Sequence, residues 1–148
     1  MRCATLAREA GYDGVEVMGS EGYLINQFLC PRTNQRDDAW GGCLENRLRF
    51  PVQIVRRIRE AVGQDFLLIF RLSMIDLVEE GGTFEEVATL GRALEAAGVD
   101  VINTGIGWHE ARVPTIVTSV PRAAFSEVTR RMKAELSVPL ITTNRINM

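Results

Sequence analysis

The chain has 148 residues, 46% of them hydrophobic, and a formal net charge of −2 at pH 7, which is the composition of a globular domain. Its basic residues alternate with acidic ones, so no basic tract indicates binding to nucleic acid or to an anionic membrane. No apolar run approaches the roughly 20 residues of a membrane-spanning helix. The three cysteines, Cys3, Cys30 and Cys43, form no C-x-x-C pair, so we expect a cytoplasmic protein without disulfides or a metal centre in this segment.

The first predicted elements are a helix over residues 2–10, ended by Gly11, and a strand over residues 13–18. Residues 19–42 show no sustained hydrophobic period. Loops of this length are usually functional or disordered, and aromatic residues such as Tyr23 and Trp40 favour a structured binding loop. A helix with one apolar face follows over residues 44–62, where Pro51 predicts a kink or a break.

In the second half of the chain, predicted strands alternate with predicted helices. Residues 66–72, F-L-L-I-F-R-L, predict a strand buried on both faces of a parallel sheet. Thr83 and Glu86 form a capping-box pattern at the start of a helix that Gly98 ends. A strand beginning at Val99, an irregular stretch through Pro121, a helix over residues 125–136 and a strand over residues 139–142 complete the chain. This order predicts a parallel sheet with covering helices.

Two architectures fit four such strands. One is an open four-stranded sheet, and the other is about half of a (β/α)8 barrel, because four strands cannot close a standard barrel. In both, ligands bind at the carboxyl ends of the strands. The chain places Tyr23, Arg71 and His109 there, and His109 is its only histidine, the residue type that most often exchanges protons near neutral pH.

Several runs are specific enough to indicate a family. G-Y-D-G-V-E-V-M-G-S-E-G-Y-L (11–24), R-T-N-Q-R-D-D-A-W-G-G (32–42), R-L-S-M-I-D-L (71–77) and T-G-I-G-W-H-E-A-R (104–112) resemble the flavin-binding barrel of the old yellow enzyme family. Within this family the chain is most similar to the bacterial NADPH-dependent 2,4-dienoyl-CoA reductases. The resemblance implies that residues 1–148 are a fragment of an FMN-binding (β/α)8 TIM barrel, comprising its fourth to seventh strands with their helices.

The resemblance also implies roles for particular residues. Tyr23 would donate a proton to the substrate carbon, His109 would assist Tyr23 and polarise the thioester carbonyl, and Arg71 would stabilise the negative charge of reduced FMN. The segments that would contact the acyl-CoA thioester substrate comprise Arg32, Thr33, Asn34, Gln35, His109, Glu110, Ala111 and Arg112. The parent protein would also use FAD, a 4Fe–4S cluster and NADPH, with sites outside this chain.

The residues leave alternatives open. Tyr23 could be an amphipathic anchor of its loop, Arg71 a structural ion-pair partner and Trp108 a packing residue. We expect Cys30 to be an inert thiol, with a reactive thiol as the alternative. The parent protein could be another flavin oxidoreductase of the family: an enone reductase, an NADH oxidase or a trimethylamine dehydrogenase-like enzyme. A third possibility is a non-catalytic half-barrel that forms homo-oligomers through its open edges. We expect the 148-residue segment alone to be inactive and to bind FMN weakly or not at all.

Overall fold

The computed structural model describes residues 1–147 and contains four strands and five helices over that range. The capping box at Thr83 is present as predicted: the Thr83 hydroxyl accepts from the Glu86 amide, and the Glu86 carboxylate accepts from the Thr83 amide. The elements are α1 (Arg2–Glu9), β1 (Gly14–Gly19), α2 (Leu24–Leu29), α3 (Leu44–Val62), β2 (Leu67–Ile75), α4 (Phe84–Ala96), β3 (Val101–Ile106), α5 (Ser126–Lys133) and β4 (Leu140–Ile141).

The four strands form one parallel sheet in the order β1-β2-β3-β4. Neighbouring strands are therefore also neighbours in the sequence, as in a (β/α)8 barrel. The register pairs Met18 with Arg71, Arg71 with Asn103 and Asn103 with Ile141. These positions form one row across the sheet, which brings polar residues of β2 and β3 side by side.

The hydrophobic core lies between the helices and one face of the sheet. Leu68, Phe70 and Leu72 of β2 are at most 1% exposed and pack in the same cluster as Val55 of α3 and Leu94 of α4. Each fully buried aliphatic side chain contributes about 1.5–3 kcal/mol relative to an exposed one, so this layer accounts for much of the stability.

The opposite face of the sheet is more exposed, which corrects one prediction. Leu67 is 41% exposed, and Ile69 and Arg71 are half-buried. Over residues 67–71 the strand predicted to be buried on both faces is thus buried on the helical face alone, whereas Ser73, farther along the other face, is 4% exposed. We call this surface the inner face of the sheet.

Two further expectations from the sequence need correction or refinement. The stretch predicted as a continuous loop contains the short helix α2, whose residues Ile25 and Asn26 are buried and which packs on β1 and α3. Tertiary packing stabilises α2, which is too short for a periodic signal. The helix α3 continues through Pro51 without a break, because Val52, Val55 and other apolar residues fix its second half on the core. No helix within residues 1–147 is long and apolar enough to cross a membrane.

Candidate active site

Tyr23 and His109 lie next to each other at the carboxyl end of the sheet. Tyr23 follows β1 and His109 follows β3, yet their ring centroids are 5.4 Å apart with an interplanar angle of 64°. Tyr23 is 49% exposed, and the His109 side chain is 60% exposed. Two side chains that can carry protons therefore meet at an open rim, within reach of a ligand.

Glu21 joins this pair to Arg71, and no pattern in the sequence singled it out. One carboxylate oxygen of Glu21 lies 3.5 Å from His109 Nε2, and the other lies 3.5 Å from Arg71 Nη1. The His109 amide also donates to the Glu21 carbonyl at 3.4 Å. Glu21 has a φ of +64°, a conformation that is uncommon for a residue with a side chain and is often found at functional sites.

Arg71 projects from the inner face of β2 and has two anionic partners. Its Nη2 lies 2.8 Å from Glu16 on β1, in addition to the contact with Glu21. Asn103 on β3 donates to the second Glu16 oxygen at 2.7 Å. The positive charge of Arg71 is thus balanced by carboxylates of this chain, so the ion-pair role is observed and the contact with flavin remains a prediction.

Three buried polar atoms near this row have no hydrogen-bond partner within the described residues: Ser20 Oγ, Arg71 Nε and Asn103 Oδ1. An unpaired buried polar atom costs about 1–3 kcal/mol, so such atoms are usually satisfied by a ligand or by water. They comprise a hydroxyl, a cationic donor and a carbonyl acceptor. A group that satisfies all three needs both hydrogen-bond donors and acceptors.

Trp108 and Gly22 determine how the two loops pack behind the pair. Trp108 is 9% exposed, and its indole Nε1 donates to Asp76 at 3.0 Å, so it packs and also makes a specific hydrogen bond. Gly22 has a φ of +83°, and a Cβ there would lie 2.9 Å from Glu110 Oε2 and 3.0 Å from the Trp108 ring. Only glycine allows the loop of Tyr23 to pack this closely on Trp108.

The predicted substrate segment of the long loop forms a separate part of the rim. Arg32, Thr33 and Gln35 are exposed, and Arg32 donates through its amide and side chain to the carbonyls of residues 79–80. Asn34 is buried, and its amide nitrogen donates to the carbonyls of Phe28 (2.6 Å) and Trp40 (2.8 Å). Asn34 therefore holds the loop in shape, whereas its three neighbours are accessible.

The second predicted substrate segment continues from His109 along the same loop. Glu110 and Arg112 are exposed, and Ala111 is half-buried, with its amide donating to the Trp108 carbonyl at 3.1 Å.

Cys30 is 1% exposed, and burial raises the pKa of its thiol, as expected of an inert cysteine. Within residues 1–147 no group of three or more His, Cys, Asp or Glu side chains could hold a metal ion.

Sequential parallel strands with a tyrosine, a histidine and a guanidinium gathered at their carboxyl ends define a class of protein, the α/β-barrel domains that bind ligands at that end. Comparison with known proteins indicates a particular family within this class. The model of the NADH:flavin oxidoreductase / NADH oxidase family matches residues 1–148. The chain is 42% identical over 146 residues to a metal reductase of Desulforamulus reducens, and the match covers 99% of this chain and 22% of that protein.

Two further known proteins match nearly the whole chain, and both are oxidoreductases by name. The chain is 40% identical over 148 residues to an NADH oxidase of Thermoanaerobacter brockii, covering 97% of this chain and 22% of that protein. The solved structure of 2-naphthoyl-CoA reductase with 2-naphthoyl-CoA matches with a TM-score of 0.94 and 37% identity, covering 98% of this chain and 22% of that one.

The chain belongs to the NADH:flavin oxidoreductase / NADH oxidase family, and the predicted resemblance to the old yellow enzymes is confirmed. The predicted fold class, a partial (β/α)8 TIM barrel, is confirmed as well. Proteins of this family bind FMN and take electrons from NAD(P)H. The chain spans about a fifth of the length of the relatives described above, 22% in each.

Proposed function

We propose that the protein that contains this chain reduces 2,4-dienoyl-CoA thioesters with electrons from NADPH, and that residues 1–148 are a fragment of its FMN-binding barrel domain. The observation that carries this proposal is the edge-on pair of Tyr23 and His109, 5.4 Å between centroids, at an open rim beside Glu21 and Arg71. The similarity to 2-naphthoyl-CoA reductase, named for a conjugated CoA thioester, supports the same substrate class.

FMN fits the unpaired polar atoms of the site. Its ring system carries carbonyl oxygens and ring nitrogens that suit a guanidinium donor at Arg71, an acceptor at Asn103 and a hydroxyl at Ser20. When bound, FMN supplies the hydride that is added to the substrate. Arg71 would hold a fixed positive charge beside it, with its position set by Glu16 and Glu21. FAD, a 4Fe–4S cluster and the NADPH site belong to other parts of the proposed protein.

In the proposed reaction, residues of this chain supply the proton that is added to the substrate. Tyr23 donates its phenolic proton to a carbon of the conjugated system, so hydride and proton together saturate one C=C bond and leave the thioester intact. A phenol is a weak acid at neutral pH, and the adjacent imidazole of His109 eases the transfer and returns a proton from solvent to Tyr23. The His109 side chain is also the group that would donate a hydrogen bond to the thioester carbonyl.

The exposed residues of the two loops suit the remainder of a CoA thioester. Arg32 and Arg112 place guanidinium groups at the surface of the rim, where they can bind phosphate oxygens of coenzyme A. Thr33, Gln35, Glu110 and Ala111 would contact the less charged parts of the substrate. Asn34 would act indirectly, since its amide is already bonded within the loop.

A second candidate is an NADH oxidase or another flavin oxidoreductase of the family, favoured by the similarity to the enzyme of Thermoanaerobacter brockii. A substrate comparison with the purified full-length protein separates the two. Anaerobic NADPH oxidation should be fastest with 2,4-hexadienoyl-CoA, by about 10-fold or more over 2-cyclohexenone, because binding energy from the CoA portion contributes to the rate. Reduction of cyclohexenone in this assay, or of oxygen in its aerobic counterpart, without consumption of the dienoyl thioester would contradict the proposal.

A further inference from the structure

Asp76 is a buried carboxylate whose oxygens are surrounded by donors. It follows β2 and is 7% exposed. Three donors bond one carboxylate oxygen and a fourth bonds the other: Ser73 Oγ at 2.6 Å, Trp108 Nε1 at 3.0 Å and Asn26 Nδ2 at 3.1 Å on Oδ1, and the Gly82 amide at 2.9 Å on Oδ2. A carboxylate accepts about four hydrogen bonds and donates none, so this environment matches its chemistry.

Ser73 lies within β2, and the other three donors come from segments that follow three different strands. Asn26 belongs to α2 after β1, Gly82 to the loop after β2, and Trp108 to the loop after β3. The Trp108 amide also donates to the Asp76 carbonyl at 3.1 Å. One buried side chain thus connects the three loops that form the rim.

The hydrogen bonds around Asp76 extend to the residues that immediately precede Tyr23 and His109. Asn26 Oδ1 accepts from the amide of Gly22 at 2.9 Å, and Gly22 immediately precedes Tyr23. Trp108, held through its side chain and its backbone, immediately precedes His109. Asp76 contacts neither ring, but it fixes the residue next to His109 and, through Asn26, the residue next to Tyr23.

We propose that Asp76 is a positioning residue that sets the separation of Tyr23 and His109, and thereby the rate of proton delivery to the substrate. This inference rests on the proposed function of the pair. An asparagine at position 76 keeps the size of the side chain but directs an N–H2 group at one of the present donors, so one of the three loops must move. A displacement of about 1 Å is enough to slow a reaction on the order of 100-fold.

The two half-reactions of the full-length holoenzyme separate positioning from a general loss of structure. We expect Asp76→Asn to slow reoxidation of the reduced enzyme by 2,4-hexadienoyl-CoA on the order of 10- to 100-fold. Reduction by NADPH and FMN content should stay within about 2-fold, because neither needs the proton of Tyr23. The solvent deuterium isotope effect on reoxidation should rise as proton transfer becomes limiting.

Two further variants keep the inference testable if Asp76→Asn folds poorly. Trp108→Phe keeps a ring but removes the indole donor, and should slow the same half-reaction with the same selectivity. Asp100→Asn is the control: this carboxylate bonds Arg59 and the Leu68 amide at the amino end of β3, away from the rim. It should lower the melting temperature and leave both half-reactions unchanged.

Tyr23→Phe, measured in the same assay, distinguishes failure of the proposed function from failure of the positioning role of Asp76. If Tyr23→Phe reoxidises at the wild-type rate, the proposed function is wrong. If Tyr23→Phe is slow but Asp76→Asn and Trp108→Phe reoxidise normally, or lose both half-reactions equally as a destabilised protein would, the positioning role of Asp76 is overturned.

Discussion

At the scale of single residues, the rim is arranged around carboxylates. Glu21 faces His109 with one oxygen and Arg71 with the other, both at 3.5 Å, and Glu16 holds Arg71 from the neighbouring strand at 2.8 Å. Each carboxylate thereby fixes the position of a group assigned to the reaction. The guanidinium of Arg71 is held between these two carboxylates, and a charge held in a fixed position is the kind that contributes most to catalysis.

Cys30 gives a prediction about reactivity at this scale. Its thiol is 1% exposed, lies 3.5 Å from the Glu80 carbonyl, and has a pKa raised by burial. The reactive thiolate is therefore scarce and poorly accessible at neutral pH. Mapping of iodoacetamide-modified peptides at pH 7.5 should show Cys43, which is exposed, modified well before Cys30. Equal modification of the two in the folded protein would contradict this expectation.

Tyr23, Arg71 and His109 could be predicted as site residues because they are unusual residues at predicted strand ends. Their proximity is observed, and the roles of Tyr23 and His109 remain predictions. Glu21 and Asp76 were missed because a carboxylate in a loop has no local pattern. The groups around each carboxylate distinguish it. His109, which faces Glu21, is 88 positions away along the chain, and Asn26, which donates to Asp76, is 50 positions away.

At the scale of elements, α4 shows how local sequence signals position the site. The capping box fixes the start of α4 directly after the loop that bonds Asp76 through Gly82. The same Glu86 carboxylate pairs with Arg47 of α3 at 2.5 Å, so the first turn of α4 is also attached to the neighbouring helix. An accurately placed helix start keeps the Gly82 amide directed at the carboxylate.

Thr83→Ala tests this cap. Loss of the hydroxyl that accepts from the Glu86 amide should cost about 1 kcal/mol. Amide hydrogen exchange over residues 83–90 should then be about fivefold faster, with little change elsewhere. Thr83→Ser keeps the hydroxyl and serves as the control. Exchange rates unchanged in Thr83→Ala would show that the cap does not stabilise this turn.

The elements that could be predicted carry repeated, local signals. The order of helices and strands and the capping box at Thr83 follow from hydrophobic period and end residues, and the structure confirms them. The helix α2 has too few residues to show a period, and the continuity of α3 through Pro51 depends on packing against the core. Local patterns therefore missed α2; they predicted the helix over residues 44–62 but left open a break at Pro51, which packing against the core excludes.

At the scale of the whole molecule, the sheet has two outer strands with one partner each within residues 1–147. β1 pairs only with β2 there, and β4 only with β3. The inner face between them exposes apolar side chains, including Leu67 at 41% and Ile141 at 42%. Unpaired strand edges beside exposed apolar surface favour association with other chains.

The 148-residue segment expressed alone should therefore self-associate and bind FMN weakly or not at all. Size-exclusion chromatography with light scattering gives its mass, and quenching of FMN fluorescence gives its affinity, with the full-length protein as the control. A monomer that binds one FMN tightly would show that this part of the barrel is sufficient for the cofactor, contrary to our proposal.

We propose that Tyr23, beside His109, delivers the proton to a CoA thioester. The most direct measurement is single-turnover reoxidation of the reduced full-length protein by 2,4-hexadienoyl-CoA, comparing Tyr23→Phe with Tyr12→Phe, the other tyrosine of the chain, which is 66% exposed. We predict that Tyr23→Phe is slower by on the order of 100- to 10,000-fold, whereas Tyr12→Phe is unchanged and both are reduced normally by NADPH. Reoxidation of Tyr23→Phe at the wild-type rate would contradict the claim.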